Sequence, residues 1–126
     1  MLALTNLAKE YGKGVVQISN IAKDENIPQR FLENILLELK KIGILSSKLG
    51  KSGGYYLLKQ PDEVSLLDVI RHFEGSVALL YCVSGKAYQP CEFCKIEETC
   101  KIRNVFKEIR ERTYDILRNA TLESLI

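Results

Sequence analysis

Four cysteines within one short window are the residues of this chain best suited to specific chemistry. Their spacing is C-x8-C-x2-C-x5-C, at Cys82, Cys91, Cys94 and Cys100. The residues between them include glycine, proline and lysine, which are typical of a loop rather than of a helix or strand. Four thiolates on a flexible loop suit a soft metal centre, because the loop can bend to the metal's geometry. The spacing therefore predicts a metal ion or an iron–sulfur cluster.

Two other interpretations of these cysteines remain open. The C-x2-C pair, Cys91 and Cys94, could form a redox disulfide and leave two free thiols, or all four thiols could be inert. Zinc sites with four cysteines usually contain two C-x2-C knuckles, whereas this window contains one. The pattern thus favours an iron–sulfur cluster over zinc without excluding zinc.

Length and composition are those of an ordinary globular domain. The chain has 126 residues, of which 46% are hydrophobic and 27% are charged, and this size predicts one domain. No apolar run approaches the ~20 residues needed to span a membrane, and no secretory signal is visible. We therefore expect a cytoplasmic protein, in which clustered cysteines are more often metal-binding or sensing than disulfide-bonded.

Hydrophobic periodicity predicts a mainly α-helical fold with a small β-hairpin. Helices are expected over five ranges: 1–11, 18–25, 28–41, 65–74 and 101–119. Short strands are expected over 44–48 and 55–58. The first helix has no N-cap, so its start is expected to be missing from the sequence, whereas Ser65 is expected to cap the fourth. In the third helix we expect a buried stripe formed by Phe31, Leu32, Ile35, Leu36 and Leu39.

The second and third predicted helices form a helix-turn-helix candidate for DNA binding. Beside Pro28, the third helix exposes polar residues near its start: Gln29, Arg30, Glu33 and Asn34. Six lysine or arginine residues and two glutamates lie between residues 28 and 60, so this segment carries a local positive charge. An ordinary solvated helical pair would show the same polar side, and the helices alone do not decide between the two.

A lysine-bearing, Gly-rich loop follows this pair of helices and favours DNA binding. It spans residues 49–54, reads Leu-Gly-Lys-Ser-Gly-Gly and connects the two predicted strands. Its glycines permit positive φ and a close approach of the backbone to another surface. The loop offers Lys48, Lys51, the Ser52 hydroxyl and backbone N–H groups to phosphates. This order of elements predicts a winged helix-turn-helix.

The last predicted helix is the longest and carries an apolar stripe of about five turns. The stripe comprises Ile102, Val105, Phe106, Ile109, Thr113, Ile116, Leu117 and Ala120. So small a chain has little else to cover it, and we expect this helix to form a homodimer. Packing against the chain's own N-terminal domain is the alternative. In the tail, Leu122, Leu125 and Ile126 are expected to tuck back.

These elements define three segments of one compact domain. Residues 1–80 form the winged helix-turn-helix DNA-binding domain, 81–100 the cysteine loop, and 101–126 the dimerisation helix and tail. The sequence contains no pair of nucleophile and base and no phosphate-cradling motif, and it has a single histidine. We therefore do not expect an enzyme.

Along nearly its whole length the sequence resembles the IscR-like family of bacterial winged-helix transcriptional regulators, the Rrf-two type. The resemblance is carried by Ile21-Ala22, residues 28–39, the wing motif Gly50-Lys-Ser-Gly-Gly-Tyr55, Leu67-Asp-Val-Ile70, the cysteine loop, the long helix and Thr121-Leu-Glu-Ser-Leu125. It implies a homodimer that binds a palindromic operator in double-stranded DNA. Many members carry an iron–sulfur cluster that senses cluster status, iron, nitric oxide or redox state, whereas others lack it and respond through protein partners.

The resemblance also assigns roles to residues of the DNA-binding elements. Glu33 falls where family members use an acidic residue for sequence choice, and Gln29 and Arg30 lie at the exposed start of the same helix. Gly53 and Gly54 match the wing tip that enters the minor groove.

In the cysteine loop, Cys82, Cys94 and Cys100 match the family's three cysteines. The distance from Cys82 to Cys94 is longer than in the usual pattern, Cys91 is extra, and Arg103 stands where one branch has a histidine ligand. The family's basic N-terminal residues are also absent, and in one branch that region supplies a ligand from the partner chain. Cys91 could take that role in an all-cysteine site of 2Fe–2S or 4Fe–4S type.

The sequence thus predicts a dimeric DNA-binding transcriptional regulator whose cysteine loop holds an iron–sulfur cluster as a sensor. The cluster is expected to fold the 82–100 loop and fix the angle between wing and dimer helix, so that its loss shifts the population that fits the operator. The alternative is a cluster-free regulator of the same family, switched by Cys91–Cys94 dithiol chemistry or by a protein partner.

Overall fold

The computed structural model describes residues 1–126 and divides the chain into two compact units. The first unit comprises residues 1–64 and 121–126, and the second comprises residues 65–120. Five α-helices and one two-stranded antiparallel sheet confirm the predicted fold class. None of the helices has the length and hydropathy needed to cross a bilayer.

Three helices open the first unit: α1 (Leu2–Lys9), α2 (Ile18–Asp24) and α3 (Gln29–Lys41). The chain leaves α2 through Asn26, whose φ of 53° is left-handed and incompatible with a continued helix. Pro28 was expected in the first turn of α3 but is its N-cap, with ψ at 127°. The extended conformation of Pro28 sets the entry of the chain into α3.

The buried side of α3 is narrower than the predicted stripe. Leu32, Leu36 and Leu39 are almost fully buried, whereas Ile35 is half-buried. The prediction that Phe31 is buried is wrong, because 60% of its surface is exposed. Phe31 precedes Leu32, and one residue rotates the side chain by about 100° around the helix, away from the core.

The two strands form the hairpin that was predicted as a wing. Strand β1 (Leu45–Lys48) pairs with β2 (Gly54–Leu57), with Lys48 opposite Gly54. A third extended segment pairs with β2, since the backbone of Val16 exchanges two hydrogen bonds of 2.8 Å with that of Tyr55. A Cβ on Gly54 would lie 2.5 Å from the Val16 carbonyl oxygen, so this pairing requires glycine there.

The C-terminal tail returns to the first unit through one residue. Leu122 is fully buried, and its N–H donates to the carbonyl oxygen of Val64 at 2.9 Å. The expectation that Leu125 and Ile126 also tuck back is wrong, because they are 46% and 52% exposed. A short 3-10 turn at Glu123–Leu125 follows the anchor and keeps these last side chains at the surface.

The second unit contains α4 (Leu66–Glu74) and α5 (Lys101–Asn119), with the cysteine loop between them. As predicted, Ser65 caps α4: its hydroxyl accepts from the Asp68 N–H, and the Asp68 carboxylate accepts from the Ser65 N–H. The Leu66 N–H donates to the carbonyl oxygen of Ala120 at 2.9 Å, which joins the start of α4 to the end of α5.

We expect Leu36→Ala to lower the free energy of unfolding by about 2–5 kcal/mol, because it opens a cavity beneath the fully buried side of α3. The neighbouring Leu37→Ala is the matched control. Since 49% of Leu37 is exposed, that change should cost about 0.5 kcal/mol or less. Urea denaturation of the two variants measures the difference, and equal losses would contradict this description of the core.

Candidate nucleic-acid interface and cysteine site

The polar side of α3 is fully presented to solvent. All four residues named from the sequence are exposed: Gln29, Arg30, Glu33 and Asn34. They form two adjacent rows, because Gln29 and Glu33, like Arg30 and Asn34, are four residues apart on the helix. This side of α3 therefore offers amide groups that donate and accept hydrogen bonds, a carboxylate that accepts them and a guanidinium that donates them. Such groups can contact the edges of bases.

The wing presents exposed basic side chains on a turn that a backbone hydrogen bond closes. Lys48, Lys51 and Ser52 are exposed at its surface. Gly50 has φ of +103° and its carbonyl oxygen accepts from the Gly53 N–H at 3.0 Å, which closes the turn. A Cβ on Gly53 would lie 2.2 Å from the carbonyl oxygen of Lys48, so the turn needs glycine at this position.

The wing glycines and tyrosine are less accessible than the wing lysines. Gly53 is buried, and Gly54 and Tyr55 are half-buried. Leu49, which the sequence reasoning did not single out, is 97% exposed at the tip. The groups that the isolated chain offers at the wing are therefore the two lysines, the Ser52 hydroxyl and an apolar side chain.

Some of the cations in this region are already engaged within the chain. Lys40 donates to the Ser47 hydroxyl at 2.8 Å, which ties α3 to β1, and Lys41 pairs with Glu38 at 2.9 Å. No ion pair forms at Arg30, Lys48 or Lys51. These three charges are available to a polyanion, and they lie on the start of α3 and on the wing.

In the second unit, all four cysteines line one cavity of about 130 Å³. None is in a disulfide; Cys82 is buried and Cys91 is exposed. No three side chains of the histidine, cysteine, aspartate or glutamate type are close enough to hold a single metal ion. The fold thus brings the predicted ligands around a common space without forming a mononuclear site.

Four thiols around one space are a donor set that suits an iron–sulfur cluster. Four thiolates bound to one zinc converge to about 2.3 Å from a single point, and the cavity shows no such convergence. In a cluster the cysteines ligate different iron atoms, so their sulfur atoms are spread more widely. A shared, largely apolar cavity lined by thiols is compatible with that arrangement.

Two of the thiols interact directly and differ in acidity. Cys100 is the N-cap of α5, and its Sγ accepts from the Arg103 N–H at 3.4 Å. This backbone hydrogen bond is the main cause that lowers the pKa of the Cys100 thiol. Desolvation raises the pKa of the Cys94 thiol, and its hydrogen bond to Cys100 acts in the same direction. In the hydrogen-bond geometry the Cys94 Sγ donates to the carbonyl oxygen of Ile96 at 3.5 Å.

Two arginines of α5 hold the cysteine loop in place. Arg103 Nε donates to the carbonyl oxygen of Cys82 at 3.3 Å, and its guanidinium lies 4.0 Å from the Glu97 carboxylate. Arg110 donates to the carbonyl oxygen of Val83. The sequence reasoning did not assign these positioning roles. Arg103 lies three residues after Cys100, in the first turn of the helix. That spacing was a sequence signal that could have indicated the role of Arg103.

The apolar stripe of α5 divides into two parts. Ile102, Val105, Ile109 and Ile116 are exposed, whereas Phe106, Thr113 and Leu117 are half-buried. At about 100° per residue the four exposed side chains lie within an arc of about 60°. The structure therefore leaves a continuous apolar ridge at the surface of a helix that is otherwise strongly charged.

Comparisons with known proteins give one consistent family. A family model described as Rrf2, iron-dependent transcriptional regulator, matches residues 1–126. An rrf2-like HTH-type transcriptional regulator of Rhodobacter capsulatus is 40% identical over 126 residues, which is 100% of this chain and 84% of that protein. The HTH-type transcriptional regulator IscR of Erwinia tasmaniensis is 31% identical over 124 residues, 98% of this chain and 72% of that protein.

A third relative has a solved structure. The HTH-type transcriptional regulator CymR of Bacillus subtilis is 31% identical over 122 residues, 97% of this chain and 80% of that protein. Its structure, described as that of the global cysteine regulator, aligns with a TM-score of 0.77 at 28% identity and covers 98% of this chain and 88% of that chain. The fold is therefore shared with a known regulator.

Proposed function

Because the chain belongs to the Rrf2 family of transcriptional regulators, we propose that it acts as a homodimer on a palindromic DNA operator and holds an iron–sulfur cluster in its cysteine loop. Regulators of this family act in transcription and are not enzymes, and the same holds for this chain. The exposed polar side of α3 beside the unpaired wing lysines is the observation that carries the DNA-binding part.

In this proposal α3 is the recognition helix in the major groove. Its exposed residues contact base edges: Gln29, Arg30, Glu33 and Asn34. The wing contacts phosphates through Lys48, Lys51 and the Ser52 hydroxyl, which fix register without reading sequence. Two copies related by a two-fold axis would read half-sites about one helical turn apart.

The exposed ridge of α5 supports a homodimer as the occupant of that surface. Its four aliphatic side chains recur at spacings of three, four and seven residues, the pattern of a helix that packs along another helix. The ridge is self-complementary in chemistry, so a two-fold interface can use the same residues on both copies. Contact with a second α5 would remove this apolar surface from water.

The shared cavity of the thiols supports the cluster. We assign Cys82, Cys94 and Cys100 as ligands and Cys91 as the fourth candidate, since all four line the cavity. A bound cluster supplies reversible one-electron chemistry and sensitivity to oxidants and nitric oxide. The chain's own part is to hold the thiols: the Arg103 N–H stabilises the thiolate of Cys100, and the Arg103 side chain restrains the backbone at Cys82.

A cluster-free thiol switch is the second candidate function. A relative described as the global cysteine regulator has a similar fold, and all four thiols of this chain line one cavity. The C-x2-C spacing makes Cys91 and Cys94 one candidate disulfide pair, and the effect that Cys94 and Cys100 have on each other's pKa makes those two another. A thiolate on Cys100 beside the Cys94 thiol is the arrangement from which an oxidant would form a disulfide.

Lys51→Ala should weaken binding to all DNA sequences alike and reduce the slope of log affinity against log salt by about 1, because it removes one phosphate contact. Glu33→Ala should instead change the preferred operator bases at one position, because Glu33 is exposed on α3. Fluorescence anisotropy over a salt series and selection from random DNA measure the two effects.

Lys107→Ala removes the same charge from an exposed site outside α3 and the wing, and it should change neither property. If Lys107→Ala lowers affinity as much as Lys51→Ala, the assignment of the wing as a phosphate contact is wrong.

Val105→Lys should convert the dimer to monomers by placing a charge on the apolar ridge of α5, where 57% of Val105 is exposed. Asn104→Lys adds the same charge at the adjacent exposed position, off the ridge, and should leave the dimer intact. Sedimentation velocity gives the molar mass of both variants. A dimer that survives Val105→Lys unchanged would place the interface elsewhere.

Anaerobically purified protein should be brown, with a thiolate-to-iron absorption band and matching amounts of iron and acid-labile sulfide. Cys82→Ala, Cys94→Ala and Cys100→Ala should each lose most of the iron, because each removes a proposed ligand. The iron content of Cys91→Ala reports whether the Cys91 thiol is the fourth ligand of the cluster.

A colourless protein after anaerobic reconstitution would contradict the proposal that the chain binds an iron–sulfur cluster. A reversible disulfide between Cys91 and Cys94, or between Cys94 and Cys100, located by mass spectrometry after differential alkylation of that protein, would then support the thiol switch. DNA affinity measured on the same samples tests the regulator separately from its cofactor.

A further inference from the structure

A second cavity of the 65–120 unit has a strongly basic lining. It measures about 250 Å³ and lies between α4, the start of the cysteine loop and α5. Four cationic side chains line it and one carboxylate, Glu111, opposes them: the cations are Arg71, Lys86, Arg110 and Arg118. The larger cavity of the first unit, about 900 Å³, has no such excess of positive charge. It is lined by two lysines, Lys9 and Lys23, and by three carboxylates, Glu10, Asp24 and Glu25.

Two of the four cations contact the same aromatic ring. The guanidinium carbons of Arg71 and Arg110 lie 4.9 Å and 5.7 Å from the centre of the Tyr114 ring. Cation–π contacts hold each group, but two like charges around one ring repel each other in the absence of an anion. An anion bound between them would remove that repulsion.

Carboxylates of the same chain neutralise only part of the positive charge that lines this cavity. Arg110 pairs with Glu111 and lowers the pKa of that carboxyl, and Arg118 lies 3.5 Å from Asp115. Arg71 and Lys86 form no ion pair. The buried Nε of Arg110 has no hydrogen-bond partner, so this guanidinium is incompletely satisfied in the free chain.

We propose that this cavity binds a phosphate group, either inorganic phosphate or the phosphate of a small phosphate ester. Three arginines and a lysine that line one small cavity match an oxyanion with two negative charges. A tetrahedral phosphate can direct its oxygens to cations on α4, on the loop and on α5, whereas a planar carboxylate directs two oxygens to one side. The volume is below the range of drug-sized ligands, so the ligand is small.

The C-terminus of α4 weakly opposes such a ligand. Gly75, the residue that ends α4, lines the same cavity. The partial charge at a helix C-terminus is about −0.5 elementary charge, which is small beside four cationic side chains. The balance therefore still favours an anion.

The cavity stays open in the proposed dimer and is connected to the cysteine loop. At about 100° per residue, Arg110, Tyr114 and Arg118 lie on α5 at least about 80° away from the ridge that contains Val105. Arg110 also donates to the carbonyl oxygen of Val83, and Lys86 belongs to the loop itself. A ligand that joins Arg110 to Lys86 would restrain the segment that follows Cys82.

The test is isothermal titration calorimetry of the purified full chain, without DNA, in phosphate-free buffer at constant ionic strength. Inorganic phosphate should bind saturably with one site per chain. Arg71→Gln and Lys86→Gln should each weaken it at least ~10-fold, because each removes a charged partner. Arg112→Gln, an exposed arginine of α5 outside the cavity, should bind as the unchanged chain does.

Two further ligands identify the chemistry. Tighter binding of glycerol 3-phosphate than of inorganic phosphate would assign the site to an ester, and equal or weaker binding would assign it to phosphate itself. Equal binding of malonate, absence of saturable binding at millimolar phosphate, or equal losses in Arg71→Gln and Arg112→Gln would each overturn the proposal. Because DNA is absent, none of these outcomes depends on the operator-binding function.

Discussion

The hydrogen bond from the Arg103 N–H to the sulfur of Cys100 joins the cysteine site to the longest helix of the protein. Cys100 is both the N-cap of α5 and part of the thiol cavity. The side chain of the same arginine reaches back to the carbonyl oxygen of Cys82. Both ends of the 82–100 segment are therefore fixed to the first turn of α5. Any chemistry at the Cys100 sulfur therefore changes the capping of α5. A cysteine in a surface loop that caps no helix would not have this effect.

Helix α5 meets three different surroundings along its length. Its first turn faces the thiols, its aliphatic ridge is exposed, and Arg110 and Tyr114 line the basic cavity. An amphipathic helix with one apolar side needs only one partner, whereas this helix has an apolar side left over after packing within its own unit. That surplus, rather than the length of the helix, is what points to a second copy of the chain.

Local patterns in the sequence determined the elements of the fold and their approximate limits. The predicted last helix over 101–119 coincides with α5, since its periodicity is long and uninterrupted. The wing was predicted from glycines and lysines, and the structure supplies the physical reason for Gly53 and Gly54, where a Cβ would collide with backbone atoms. Ser65 was recognised as a cap because a capping box is complete within four residues. Each of these features depends on neighbours along the chain.

Only the tertiary structure decided which side chains meet across longer distances. The C-x2-C spacing places Cys91 and Cys94 near each other along the chain, and the fold adds Cys100, whose sulfur lies at the N-terminus of α5 and, besides desolvation, raises the pKa of Cys94. Arg71 and Arg110 are 39 positions apart and reach one tyrosine ring through the packing of α4 on α5. The sequence by itself thus determined the elements, the thiol-rich loop and the family, since these follow from local composition and spacing. The pairing of thiols and the convergence of arginines required the fold, because a linear pattern does not contain the distances between distant residues.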